Sequence, residues 1–209
     1  MRIFYLDTSS SYLFASVALD DKVLGEVQIK LDKGLSSFTL PEIDKLFSNC
    51  NIKPNDIDKI IVVNGPGSFT GVRIGVTIAK IYAWSLKKEI TTISSLDAMS
   101  SINIPSYDYI IPMIDARRGY VYSAIYSTKG EQILKGQYQK KDTLEVTISN
   151  LPGKSIVVTN DNIDTTLNKM AYQPDFLEII KRYRNKPSIN PHAVEPEYLK
   201  LTEAEENKI

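Results

Sequence analysis

The chain has 209 residues, 43% hydrophobic and 24% charged, which is enough apolar material for a proper core. Its 25 Lys and Arg balance 25 Asp and Glu, so no global field draws it to nucleic acid or a membrane surface. One cysteine, Cys50, excludes an intrachain disulfide framework, and one histidine, His192, removes most zinc-site and histidine-base chemistry.

The chain opens on Ile3-Phe4-Tyr5-Leu6 without a signal-peptide pattern, and no apolar run approaches a membrane span, so a cytoplasmic protein is expected. Alternating apolar residues predict half-buried strands over 2–7, 12–19 and 22–30. A helix is expected over 36–49, with Thr39-Leu40-Pro41-Glu42 at capping-box spacing marking a start or kink. Ile60-Ile61-Val62-Val63 reads as a buried strand, followed by a glycine loop and a helix over about 70–88. A boundary is expected near 95–107, with a short helix over 96–101.

The second half repeats this order, with strands over 109–115, 120–127 and 131–138 and a helix over 143–149. A buried strand over 155–159 follows, then helices over 163–171 and 174–184. Three strands, helix, strand, helix, occurring twice, is the layout of a duplicated ribonuclease-H-like, actin-like (ASKHA) α/β fold. The expected lobes are 1–100 and 101–190. A proline-punctuated tail, 191–209, would dock through Tyr198, Leu199 and Leu201 and fray over 202–209.

The stretch Gly65-Pro66-Gly67-Ser68-Phe69-Thr70-Gly71-Val72-Arg73-Ile74-Gly75 sits at a strand-to-helix turn, where open α/β sheets bind ligands. Its backbone amides could cradle an anion, or its glycines could serve a tight turn and close packing. Gly71, Gly75, Ala79 and Ala83 then form a row of small residues along one helix face. Such a row lets a neighbour approach closely. The neighbour is either the chain's own sheet or, the reading favoured here, another protein.

Asp7 ends the first strand and Asp115 the corresponding strand of the second half, a pair that could hold Mg²⁺ with phosphates in a nucleotide-binding fold. Phosphate-gripping hairpins need glycine where backbone meets ligand. The turn Asp7-Thr8-Ser9 has none, and the second turn carries Arg117 and Arg118, so self-sufficient ATP chemistry is not expected. Lys181-Arg182-Tyr183-Arg184-Asn185-Lys186 suits RNA in composition, and suits equally the solvated last turn of a helix.

Asp7-Thr8-Ser9, the glycine loop, Asp115-Ala116-Arg117-Arg118 and Glu195-Pro196-Glu197-Tyr198-Leu199-Lys200 together resemble the TsaB family, also called YeaZ. The resemblance spans essentially the whole chain, in order and spacing. It implies a bacterial two-lobed protein that helps to make threonylcarbamoyladenosine on tRNA without being the catalyst. The implied partners are TsaD, a metal-bearing subunit that transfers threonylcarbamoyl to the adenosine after the anticodon, and the ATPase TsaE. Alone, such proteins form homodimers through the helices that grip TsaD, and tRNA is met only through the complex. The implied interface is Gly71, Val72, Gly75, Val76, Ala79 and Ala83, with Leu40, Ile43 and Phe47 of the first helix.

Asp7, Thr8, Ser9, Gly65, Gly67, Ser68, Asp115, Arg117 and Arg118 would be vestigial phosphate contacts. No catalytic residue, metal or cofactor of its own is expected, and ATP, ADP or metal would be held only with TsaD and TsaE. TsaD-type chemistry uses a His-x-x-x-His pair on the first helix, which here has no histidine. Family members often carry a basic, histidine-containing run ahead of that helix, where this chain reads Asp32-Lys33-Gly34-Leu35-Ser36-Ser37-Phe38. The alternatives are a free-standing kinase or glycoprotease-type enzyme and a homodimeric binding module unrelated to tRNA.

Overall fold

Near-continuous apolar runs and a short acidic turn at Asp20-Asp21 build an antiparallel meander of β1 (Arg2–Asp7), β2 (Tyr12–Leu19) and β3 (Lys22–Lys30). β4 (Lys59–Val63) and β5 (Glu89–Ile93) add in parallel, giving the order β3-β2-β1-β4-β5. The computed structural model describes residues 1–31 and 34–200; Asp32, Lys33 and the tail from Leu201 lie outside the described residues. The chain divides into two units, the first made of Met1–Ala98 with Pro174–Glu197, the second of Met99–Gln173 and resuming at Tyr198.

In the first unit α1 (Leu35–Asn49) and α2 (Phe69–Leu86) pack on one face of the sheet. Ile43, Leu46 and Phe47 of α1 meet Val72, Val76, Ala79 and Ala83 of α2 over Phe4, Leu6, Ala15, Ile60 and Val62. α1 does not start at the Thr39 capping box. It runs through Pro41 from a left-handed Gly34, and the Thr39 hydroxyl donates to the Leu35 carbonyl at 2.6 Å. Gly25 lets α1 approach β3: a Cβ there would stand 2.5 Å from Cys50 Sγ, so the lone cysteine is packing material.

The other face of this sheet is covered by α5 (Phe176–Tyr183), which the sequence assigned to the second lobe. Phe176, Ile179 and Ile180 are buried at helical spacing, and Phe176 meets Tyr5 edge-on at 5.7 Å. The chain after α5 is fixed by a buried cation. Lys59, on an otherwise apolar strand, donates to the carbonyls of Arg184 at 3.0 Å and Lys186 at 2.5 Å. The strap beyond follows β5, where Ile189 N–H donates to Ile90, then inserts Val194 into the core. The first lobe therefore includes residues 174–197, which the expected boundaries placed in the second lobe and the tail.

The second unit repeats the topology with β6 (Tyr109–Asp115), β7 (Tyr120–Ser127), β8 (Gln132–Lys140), β9 (Ser155–Val158) and β10 (Lys169–Met170), in the order β10-β9-β6-β7-β8. A short helix, α3 (Ser95–Ser100), carries the boundary between the units, and α4 (Lys141–Ser149) packs Leu144 and Ile148 on Ile111, Val121 and Val157. The expected helix over 163–171 is absent. Ile163 and Leu167 do reach the core at i,i+4 spacing, but the carbonyls of Asn168 and Met170 accept from Val157 and Thr159 and draw the segment into an edge strand.

Candidate functional site

The glycine loop fits against the turn that ends β1, and its glycines are explained by that fit. A Cβ on Gly71 would strike the Thr8 carbonyl oxygen, and one on Gly75 would strike Thr8 Oγ1. Thr8 is fully buried, and its hydroxyl donates to the Gly71 carbonyl at 2.7 Å. Gly67 lies against the Ser9 carbonyl, which accepts from Ser68 N–H at 2.6 Å, while Gly65 lies against the carbonyl of Glu197. The Gly65–Pro66 bond is cis. Ser95 takes the carbonyls of Gly65 and Pro66, and the Ser68 hydroxyl caps α2 by accepting from Gly71 N–H at 3.2 Å.

Close packing, rather than an open anion cradle, is the geometry observed. Asp7 is buried at the end of β1, where Oδ1 accepts from Ser9 N–H at 2.8 Å. Burial raises its carboxyl above the usual carboxylate range, and the hydrogen bonds from Ser9 only partly oppose this.

The small-residue row therefore faces inward. Gly71, Val72, Gly75, Val76, Ala79 and Ala83 are buried against the chain's own sheet and turn, and Ile43 and Phe47 lie in the same core. Of the interface residues named from the sequence, only Leu40 is exposed. Small side chains appear there because β1 and its turn come close, which is a need internal to the lobe.

The opposite arc of α2 is the exposed one. Phe69 is 57% exposed and Trp84 63%, with Ile81 between them along the helix, and Leu40 and Phe38 are exposed on α1. A groove of about 440 Å³ runs along this arc, lined by Leu40, Phe69, Ile74 and Ile78, with Arg73 as its single charge. The Arg73 guanidinium lies 3.7 Å over the Phe69 ring. At the far end Trp84 meets His192 edge-on at 6.0 Å. Large apolar side chains on an outward helix face were a signal in the sequence, masked there by the regularity of the glycine row.

In the second unit Asp115, Arg117 and Arg118 come together in the β6–β7 turn. Asp115 Oδ1 accepts from Arg117 N–H at 2.8 Å, and Asp115 N–H donates to Asp161 at 2.8 Å. Arg117 and Arg118 are both left-handed, at φ 66° and 55°, ahead of Gly119 at 78°. Asp161 was not foreseen here; its carboxyl is raised by burial, eased by the Asp115 N–H and raised again by the Asp115 charge. Among the described residues, no three His, Cys, Asp or Glu side chains group as a metal site would require.

The Lys181–Lys186 run is occupied within the first unit. Arg182 pairs with Glu178 at 2.6 Å, Arg184 with Asp21 at 2.9 Å, and Lys186 donates to the Thr92 carbonyl. It behaves as a helix terminus.

Two mixed sheets in the order 3-2-1-4-5, each with β1, β4 and β5 equivalents parallel, define a duplicated ribonuclease-H-like, actin-like fold. Residues 29–177 match the family model described as TsaD, tRNA N6-adenosine threonylcarbamoyltransferase. A Bacillus subtilis protein named tRNA threonylcarbamoyladenosine biosynthesis protein TsaB is 35% identical over 98% of this chain and 96% of its own. A Buchnera aphidicola protein of the same name, from Acyrthosiphon pisum, is 27% identical over 75% of this chain and 74% of its own. The solved structure of YeaZ from Pseudomonas aeruginosa superposes with a TM-score of 0.79 at 19% identity, covering 95% of this chain and 99% of that one. The chain belongs to the TsaB family, and its match to the TsaD model places it within that wider family as well.

Proposed function

We propose that this chain is a non-catalytic subunit in forming threonylcarbamoyladenosine on tRNA, working in the cytoplasm as the scaffold of a TsaD-like catalytic subunit. The observation that carries the docking reading is the outer arc of α2 and α1, where Phe69 and Leu40 line one groove and Ile81 and Trp84 stand exposed farther along α2. Burying one such side chain contributes about 1.5–3 kcal/mol, so a few of them suffice to anchor a partner. The relatives named TsaB supply the pathway.

The non-catalytic reading is supported by the Asp7–Ser9 turn, whose backbone and hydroxyl groups are engaged by the glycine loop. A bound phosphate would have to displace those contacts. On this reading the chain holds no nucleotide or metal of its own, and any ATP, ADP or metal sits with the TsaD-like and TsaE-like partners.

Reconstitution with both partners and an unmodified tRNA transcript tests the proposal. Ile81→Arg, at a half-exposed position, should fold normally yet weaken association with the TsaD-like subunit by about 30-fold or more. Modification should fall in step. If modification proceeds equally well without this chain, the proposal fails. If Ile81→Arg only splits a homodimer and leaves modification unchanged, the arc serves self-association instead.

A further inference from the structure

The β6–β7 turn holds two features that neither the fold nor the docking face requires. Arg117 and Arg118 adopt left-handed backbone in succession, at φ 66° and 55°. This is a conformation that side chains with a Cβ resist and glycine accepts. Nothing local demands arginine, since both side chains are exposed and neither guanidinium has a hydrogen-bond or ion-pair partner among the described residues. Strain of this kind persists where the residue is needed for something other than stability.

The surroundings give the turn a chemistry. Tyr120, the first residue of β7, stacks on Tyr138 of β8 at 4.7 Å with ring planes 10° apart, and Tyr122 adjoins Tyr138 at 5.6 Å. Lys140 sits opposite Tyr120 in the ladder, exposed, and Lys200 Nζ lies 5.4 Å over the Tyr138 ring. The nearby carboxylates Asp115 and Asp161 are occupied by the backbone N–H groups of Arg117 and Asp115. A strained turn thus presents two unpaired guanidinium groups beside two lysines and a rigid aromatic floor.

We propose that this turn is an RNA contact, in which Arg117 and Arg118 grip backbone phosphates of the tRNA and Lys140 and Lys200 extend the cationic track. Guanidinium groups suit this task because they engage phosphate oxygens through paired N–H donors and are weakly hydrated. The contact is to the backbone, so it positions the tRNA and carries no sequence preference. It rests on the reading that the chain works on tRNA, and it assigns to the second lobe a direct contact that the Lys181–Lys186 run, engaged internally, does not supply.

The test uses the full chain and a fluorescein-labelled, unmodified tRNA transcript whose anticodon is followed by adenosine. Anisotropy is followed from 50 to 200 mM KCl. The variant is the double substitution Arg117→Gly with Arg118→Gly, which removes both guanidinium groups while giving the turn the residue its backbone prefers. Its thermal midpoint should be unchanged or higher. Its tRNA affinity should fall about tenfold at 100 mM salt, and the slope of log K against log salt should lessen by about two.

Three outcomes would overturn the proposal: a wild-type chain that shows no salt-dependent tRNA binding, a double-glycine chain with unchanged slope, or a double-glycine chain that loses the TsaD-like subunit instead. Competition of the labelled tRNA by Mg-ATP at concentrations that leave ionic strength unchanged would assign the arginines to a nucleotide and would also overturn it. If any of these occurs while the chain still supports modification in the reconstituted system, the subunit reading stands and only the RNA contact is lost.

Discussion

Gly75→Ala decides which way the small-residue row of α2 faces. Were the row on the surface, alanine would stabilise the helix by about 1 kcal/mol, because glycine is the poorer helix former by that amount. In the structure the new Cβ would instead meet Thr8 Oγ1, and Thr8 is fully buried with its hydroxyl on the Gly71 carbonyl at 2.7 Å. Displacing that hydroxyl breaks a buried hydrogen bond and leaves its partner unsatisfied, at a cost of about 1–3 kcal/mol. Overpacking adds about 1–3 kcal/mol. The net expectation is a loss of about 1–5 kcal/mol, read as a lower urea midpoint at unchanged m-value. The double-mutant cycle sharpens it. In a Thr8→Ala background the collision is gone, so Gly75→Ala should become neutral or stabilising, and the coupling should be at least as large as the loss seen in the wild-type background. A raised midpoint for Gly75→Ala in the otherwise wild-type chain would refute the inward-facing row.

Two further expectations concern buried charge. Lys59→Met should destabilise the first unit by about 2–4 kcal/mol in denaturant unfolding, since the carbonyls of Arg184 and Lys186 lose their donor inside the fold; an unchanged midpoint would show that water replaces the ammonium. Asp7 has its carboxyl raised by burial, so the folded chain binds more protons than the unfolded chain between the ordinary and the raised value. Its stability contribution is therefore greatest below the ordinary carboxylate range and is lost as pH climbs through the raised pKa. Asp7→Asn should remove that decline, so the variant gains on the wild-type chain as pH rises towards neutrality. Identical pH–stability curves for the two proteins would contradict the assignment.

The strands of both meanders were legible because alternation reports which side of a sheet is dry, and β1, β2, β6 and β7 start and stop where the pattern does. Periodicity reports that a face is buried without saying by what. Phe176, Ile179 and Ile180 gave α5 correctly as a helix, but its destination under the first sheet depends on a chain crossing that local pattern does not encode. The row Gly71, Gly75, Ala79 and Ala83 announced a close neighbour in the same way, and the neighbour is Thr8 in the same chain. Ile163 and Leu167 mimicked a helix because i,i+4 spacing also arises when an irregular segment dips twice into a core. β5 went unread because Glu89-Ile90-Thr91-Thr92-Ile93 carries little apolar material, its partner strand supplying the hydrogen bonds that define it. The strained arginines have no sequence signature, since left-handed backbone at Arg117 and Arg118 is visible only in the dihedral angles.

The path of α5 and the strap has a consequence for synthesis on the ribosome. Residues 1–98 emerge first, yet the helix that covers the underside of their sheet and the strap that borders β5 arrive only after Met99–Gln173 has been made. At about 5–20 residues per second, that interval lasts several seconds. During it Tyr5 and its neighbours on that face await Phe176, while the second sheet is already available to fold. Until then that apolar face of the nascent first lobe lacks its native cover, and the order of completion places its closure among the last events of translation.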